Sequence, residues 1–291
     1  DLQQSLWEAL ERFNPDAPLE MLFDYVRIRF PTTDVQQVVE NILQLKLSYF
    51  LHEDYGFYSY SEHYALGDIF VLCSHELDKG VLVELKGRGC RQFESYLLAQ
   101  QRSWYEFFMD VLVAGGVMKR LDLAINDKTG ILNIPVLTEK CQQEECISVF
   151  RSFKSYRSGE LVRKEEKECM GNTLYIGSLQ SEVYFCIYEK DYEQYKKNDI
   201  PIEDAEVKNR FEIRLKNERA YYAVRDLLVY DNPEHTAFKI INRYIRFVDK
   251  DDSKPRSDWK LNEEWAWFIG NNRERLKTNH KNQSLTPSKG R

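Results

Sequence analysis

The chain has 291 residues, 43% of them hydrophobic, so it can bury a core large enough for one big or two modest globular domains. Its formal charge is −6, but six basic residues against one glutamate between Arg273 and Arg291 leave about −11 on the remainder. A body that acidic is excluded as a general polyanion binder, so any nucleic-acid role must rest on a local groove and its chemistry.

Leu2 to Phe13 carries apolar residues at 2, 6, 7, 10 and 13, a helical stripe that Asn14-Pro15-Asp16-Ala17-Pro18 ends. Phe23 to Phe30 alternates, first Phe23 and Tyr25 against Asp24, then Val26, Ile28 and Phe30 against Arg27 and Arg29; it reads as the first strand of the main domain. Thr33-Asp34 can cap a helix striped by Val35, Val38, Val39, Ile42 and Leu43. Tyr55 to Tyr64, rich in aromatics and serine, is a strand or an exposed loop, and Asp68 to Ser74 and Gly80 to Lys86 are strands. Gly87-Arg88-Gly89-Cys90 opens a helix from about Arg91 to Ala114. Gly-x-Gly ahead of a helix could cradle phosphate on free amides beside Arg88 and Arg91. The third glycine of a dinucleotide fingerprint is missing, however, and a plain strand-to-helix turn fits the pattern better.

Val117 to Asp127 is a strand with Leu121, Leu123 and Ile125 on one face and Arg120, Asp122, Ala124 and Asn126 on the other. An aspartate inside a strand is unfavourable by propensity and points to a partner or a metal. Pro135 to Cys146 reads as a helix, Cys146 to Tyr156 and Glu160 to Lys164 as strands, and Arg163 to Glu168 as a charged turn. Gly171 to Lys190 is the best organised stretch: Thr173 to Ile176, a break at Gly177-Ser178, and Val183 to Tyr188 predict a hairpin. Asp191 to Lys197 is a polar helix. In the strand Val207 to Leu215, Arg210, Glu212 and Arg214 share one face, repeating the arrangement at Arg120 and Asp122. Asn217 to Leu228 and Thr236 to Phe247 read as helices, Asp249 to Asp258 as a polar break and Trp259 to Phe268 as a short Trp-rich helix, ahead of a disordered end.

The six cysteines lack a paired C-x-x-C framework and read as reduced thiols of a cytoplasmic protein. No apolar run approaches a membrane span, none of the five histidines forms an H-x-H pair, and there is no Walker loop, G-x-S-x-G or H-E-x-x-H. The start at Asp1 without methionine suggests a fragment or processed chain.

Asp122, Asp127, Glu212 and Tyr175 are the set that could carry chemistry. Hard cations such as Mg²⁺ or Mn²⁺ take carboxylate oxygens, and beside a phosphodiester such an ion withdraws charge from phosphorus. A tyrosine can then serve as nucleophile. Arg120, Arg210 and Arg214 would either bind phosphate oxygens or pair with the carboxylates, and spacing alone favours structural ion pairs. Tyr175 is one of 18 tyrosines, and its spacing by itself favours packing.

Four blocks in order resemble a known family: G-R-G-C-R-Q-F-E (Gly87 to Glu94), K-R-L-D-L-A-I-N-D (Lys119 to Asp127), G-N-T-L-Y-I-G-S-L-Q-S-E-V-Y-F-C-I-Y-E-K (Gly171 to Lys190) and N-R-F-E-I-R-L-K (Asn209 to Lys216). Over roughly Phe23 to Phe247 the chain resembles the replication initiation factors of rolling-circle plasmids. It is most similar within them to the relaxases of Gram-positive integrative conjugative elements and conjugative transposons. The resemblance implies a metal-dependent, strand-specific DNA nickase that forms a covalent phosphotyrosine. By position Tyr175 is the nucleophile, with Tyr156 and Tyr188 as rivals. Asp122 and Glu212 are the metal-binding carboxylates and Asp127 a weaker third. The DNA phosphates are left to Arg120, Arg210, Arg214, Arg88 and Lys190.

The expected fold is α+β: a curved, mostly antiparallel sheet with helices on one face and DNA on the other. Residues 1–20 would form an N-terminal helix and linker, 21–250 the catalytic domain, and 251–291 a Trp-rich helix and basic tail. The cofactor would be Mg²⁺ or Mn²⁺. The partners would be origin DNA, single-stranded at the nick, together with a host helicase, a coupling protein or an accessory DNA-binding protein. No membrane insertion is expected. The alternatives are an origin-binding replication factor without catalysis and a nuclease that uses water on the same carboxylates.

Overall fold

A computed structural model describes residues 18–159 and 169–270. The expected N-terminal helix, the strand Glu160 to Lys164, the charged turn after it and the basic end all lie outside these residues. In chain order come β1 (Leu19–Phe30), α1 (Val35–Gln37, running on through a wider turn at Val38–Ile42), β2 (Leu51–Glu53), β3 (Glu62–Leu66), β4 (Ile69–Cys73), β5 (Val81–Lys86), α2 (Gly87–Ala99) and α3 (Trp104–Val113). There follow β6 (Val117–Asp127), α4 (Ile134–Gln142), β7 (Cys146–Ser148), β8 (Phe153–Gly159), β9 (Cys169–Ile176), β10 (Val183–Glu189), α5 (Lys190–Asn198) and β11 (Asn209–Lys216). The last elements are α6 (Asn217–Tyr230), α7 (Pro233–Tyr244), β12 (Ile245–Asp249), β13 (Lys260–Leu261) and α8 (Glu263–Ile269).

Ten strands form one sheet in the order β2-β3-β4-β5-β1-β6-β11-β10-β9-β8, and every neighbouring pair is antiparallel. The α+β architecture expected from the sequence is therefore the one observed. The period-two pattern explains why one face is apolar. Leu121, Leu123 and Ile125 of β6, Phe211, Ile213 and Leu215 of β11, and Val183, Phe185 and Ile187 of β10 all join the core cluster. Ala220, Val224 and Leu227 of α6 cover them, and Phe23, Phe93, Phe107 and Phe108 build an aromatic block beneath β1. Each Val, Leu, Ile or Phe among them, fully buried, stabilises the fold by roughly 1.5–3 kcal/mol. Trp265, Phe268 and Ile269 of α8 belong to this same core, which therefore continues past residue 250.

Four expectations need correction. The single helix from Arg91 to Ala114 is two, because Ser103 caps α3 by accepting from the Glu106 amide while the Glu106 side chain accepts from the Ser103 amide. Cys146 to Tyr156 is not one strand: β7 leaves the large sheet for a small one in the order β13-β12-β7, and β8 resumes after a break. The helix read to Phe247 stops at Tyr244, since Ile245-Arg246-Phe247 pairs with β7 as β12. The Trp-rich helix begins at Glu263, where Asn262 caps it, and Trp259 precedes it.

Candidate functional site

The polar face of the sheet is built by register. Residues opposed across antiparallel strands share a face, so Tyr175, Cys186, Glu212 and Ala124 form one row, and Tyr184, Arg214, Asp122 and Tyr25 the next. Between Phe23 and Tyr25 the pairing of β1 with β6 shifts by one residue. This bulge at Asp24 lets Phe23 and Val26 both reach the core while Tyr25 stays on the polar face. The switch of phase in the Phe23 to Phe30 alternation was its sequence signal.

A groove of about 880 Å³ opens on this face, lined among others by Asp24, Arg88, Tyr175, Tyr188, Lys190, Arg210, Glu212 and Arg214. The N-terminal turn of α2 and the helix α5 form its rims. Tyr175 is half-buried, with the Tyr156 ring edge-on at 5.8 Å and the Arg214 guanidinium 6.0 Å from its own ring centroid. Burial and the neighbouring Cys186 thiol push its phenol up to about 12, so at neutral pH it carries its proton. Tyr188 donates to Glu212 Oε1 at 2.8 Å, and burial together with that carboxylate pushes its phenol well above the ordinary range. Tyr156 is exposed.

Asp122 and Glu212 are both buried, and each has an arginine. Arg120 grips Asp122 in bidentate fashion at 2.9 and 2.8 Å, and Arg214 donates to Glu212 Oε2 at 2.9 and 2.7 Å. Arg214 Nε also lies 3.8 Å from Asp122 Oδ2, so one guanidinium spans both carboxylates. Burial raises the Asp122 carboxyl to about 6 against the pull of Arg120, and the Glu212 charge adds to the rise. The small side chain of Ala124 stands opposite Glu212 in β6. Two buried carboxylates on adjacent strands offer the oxygen donors that a hard divalent ion takes. The same contacts are those of structural ion pairs.

The remaining expected residues divide. Arg210 lies in the groove, donating to Asn126 Oδ1 at 2.7 Å and to Asp24 Oδ2 at 3.1 Å. Arg88 is exposed on the rim, and Lys190 pairs with Glu193 at 2.5 Å. Asp127 stands apart from the groove. Its oxygens accept from the amides of Thr129, Gly130 and Leu132, the Thr129 hydroxyl and Asn209 Nδ2, which ties down the turn after β6. Gly87-Arg88-Gly89 is the first turn of α2, and a Cβ at Gly89 would meet the Asp68 carbonyl oxygen at 2.4 Å, so that glycine permits close packing. The sequence reading missed Asp24, which reaches the groove from the bulge; burial raises its carboxyl and Arg210 opposes the rise.

Among the described residues one group of three metal-type donors lies within 4.8 Å, His52, Asp54 and Glu62. It sits at the exposed β2 edge of the sheet, far from Tyr175. No helix of the described residues is long and apolar enough to cross a membrane.

Comparison with known proteins places the chain among relatives. The family model described as "Replication initiation factor" matches residues 116–289, and that described as "Rolling Circle replication initiation protein N-terminal domain" matches residues 20–110. Over 256 residues the chain is 43% identical to NicK of Bacillus subtilis (strain 168), provisionally described as a DNA relaxase; the match covers 88% of this chain and 72% of that protein. The fold is similar to the solved structure of a rolling circle replication initiator protein from Geobacillus stearothermophilus, with a TM-score of 0.74 and 26% identity over 88% of this chain and 97% of that one.

Proposed function

The chain belongs to the replication initiation factor family, and from that premise we propose that it nicks one strand of DNA at an origin of transfer or of rolling-circle replication, with Tyr175 as the nucleophile. The observation that carries the proposal is the pair Asp122 and Glu212, held on adjacent strands and spanned by Arg214, with Glu212, Arg214 and Tyr175 lining one groove.

The Tyr175 oxygen attacks phosphorus, the bond from phosphorus to the 3′ oxygen breaks, and the 5′ phosphate stays esterified to the protein. The phenol proton passes to solvent and the departing 3′ oxygen takes one up. Reversal reseals the strand without ATP, because the ester bond is exchanged and never hydrolysed. Asp122 and Glu212 would hold a divalent cation such as Mg²⁺ or Mn²⁺, which would supply charge withdrawal from phosphorus. Arg214 and Arg210 orient the phosphate oxygens, with Arg88 and Lys190 at the rims. The chemistry falls within residues 21–250. The substrate is origin DNA, single-stranded at the nick, met in the cytoplasm with a helicase, coupling protein or accessory DNA-binding protein.

The experiment is incubation with Mn²⁺ and an end-labelled origin oligonucleotide, followed by a denaturing gel. A protein–DNA adduct is expected with the wild type and none with Tyr175→Phe; an adduct that persists in Tyr175→Phe overturns the assignment. The pairing of each carboxylate with its own arginine is also what a protein that only binds origins would keep. Such a protein would bind without an adduct, and a hydrolytic nuclease would cut without trapping itself.

A further inference from the structure

The aromatic loop between β2 and β3 has no part in that chemistry, yet it lies on the same face of the sheet. A chain of contacts links the two: Asp122 to Arg120, the Arg120 guanidinium 3.8 Å above the Tyr25 ring, and Tyr25 donating to Glu84 Oε2 at 2.7 Å. Tyr58 of the loop donates to the same Glu84 oxygen at 2.9 Å. Tyr55, Phe57 and Tyr58 are nevertheless 56%, 46% and 52% exposed, three large rings within four residues. Rings placed merely to cover the sheet would be buried.

The loop is held firmly while it shows these rings. His63 Nδ1 lies 2.6 Å from the Tyr55 carbonyl oxygen, Tyr60 donates to the Lys79 carbonyl at 2.8 Å, and Lys79 Nζ donates back to the Ser59 carbonyl at 2.7 Å. Tyr58 and Ser59 both take left-handed backbone, φ 55° and 65°, a conformation costly to residues with a Cβ and kept only where the surroundings enforce it. Cations accompany the rings: Arg27 stands 5.1 Å from the Tyr58 ring, and the Lys86 side chain is largely exposed on the neighbouring strand. Rigid exposed aromatics interleaved with basic side chains are what a single strand needs for stacking and phosphate contact. From β6, which carries Asp122, to β4 beneath the rings is three strand spacings, about 14 Å.

We propose that Tyr55, Phe57 and Tyr58 form a stacking platform for bases of the single strand that also occupies the groove, so that DNA runs along the polar face from the nicking site toward the β2 edge. The inference rests on the nickase reading above. It adds a second, chemically inert contact that fixes the strand by its bases.

The test is fluorescence anisotropy with a labelled single-stranded origin oligonucleotide and with versions carrying an abasic position stepped along it. Tyr55→Ala/Phe57→Ala is expected to weaken binding about tenfold or more and to raise by a similar factor the DNA concentration needed for half-maximal adduct formation. Phe57→Trp, which keeps a stacking ring, should bind like the wild type and so controls for folding. One or two abasic positions should weaken the wild type and leave the double variant unaffected. Binding of the double variant within twofold of wild type, or an abasic profile identical in the two proteins, overturns the platform; a surface meant for a protein partner would give that result. The nickase reading fails by a separate sign, an adduct that persists in Tyr175→Phe.

Discussion

The hydroxyl of Tyr188 donates a 2.8 Å hydrogen bond to Oε1 of Glu212 across the β10–β11 pair, although their register partners are Arg210 and Cys186. This diagonal contact occupies Tyr188 with positioning a carboxylate, whereas the Tyr175 side chain lines the groove beside the Cys186 thiol and the Arg214 guanidinium. Tyr188→Phe is expected to keep the covalent adduct and to need more Mn²⁺ for half-maximal yield. Loss of one hydrogen bond to a carboxylate, about 1.5–3 kcal/mol, sets the scale at roughly tenfold to a little over a hundredfold. The gel assay over a Mn²⁺ series reads this directly, and a Tyr188→Phe protein without adduct would exchange the two roles.

The raised Asp122 carboxyl has a consequence for stability. With a folded value of about 6 against an ordinary value near 4, the folded chain holds this proton more tightly than the unfolded one. The contribution is therefore fully present below about pH 4 and is lost as pH rises through 6, amounting to at most about 3 kcal/mol. Asp122→Asn has no such titration. Urea unfolding in EDTA should show the variant gaining on the wild type between pH 4.5 and 7.5, and a constant difference would show that Asp122 titrates normally.

Asp127 is expected to matter for folding and not for the metal. Asp127→Ala leaves the buried Leu132 amide and Asn209 side-chain amide without their acceptor, at about 1–3 kcal/mol each. The measurement pairs a thermal melt with Mn²⁺ titration of the adduct. A large fall in melting temperature with unchanged half-saturation is the expected result, and the reverse would restore Asp127 as a ligand.

Gly89→Ala brings a Cβ to within 2.4 Å of the Asp68 carbonyl oxygen, a backbone atom that cannot swing aside. Overpacking of this kind costs about 1–3 kcal/mol. Urea unfolding should show that loss, with oligonucleotide affinity measured below the transition changed less than twofold. A selective loss of affinity in a stable protein would return this turn to the phosphate contacts.

How far the sequence was legible depends on whether each signal was local. The limits of β6 were readable from Val117 to Asp127 because every second residue declares its face, and the β9–β10 hairpin was readable from its Gly177-Ser178 break. The end of α2 was readable but missed: Ser103-Trp104-Tyr105-Glu106 is a capping box in the middle of a run that looked continuous. β12 was lost because Ile245-Arg246-Phe247 continues the apolar spacing of α7 and becomes strand only by pairing with β7, about a hundred residues earlier. Arg210 and Asp24 meet across 186 residues of chain, so no periodicity could have put Asp24 in the groove. The family resemblance, not spacing, raised Tyr175 above the other tyrosines.

β1 lies at the middle of the sheet, yet it precedes both of its neighbours in the chain. Its whole hydrogen-bonding capacity waits for β5, which ends at Lys86, and for β6, which ends at Asp127. Such non-local closure makes for slow folding and a long interval in which an apolar strand has two open edges. On a ribosome that interval lasts until β6 has cleared the exit tunnel.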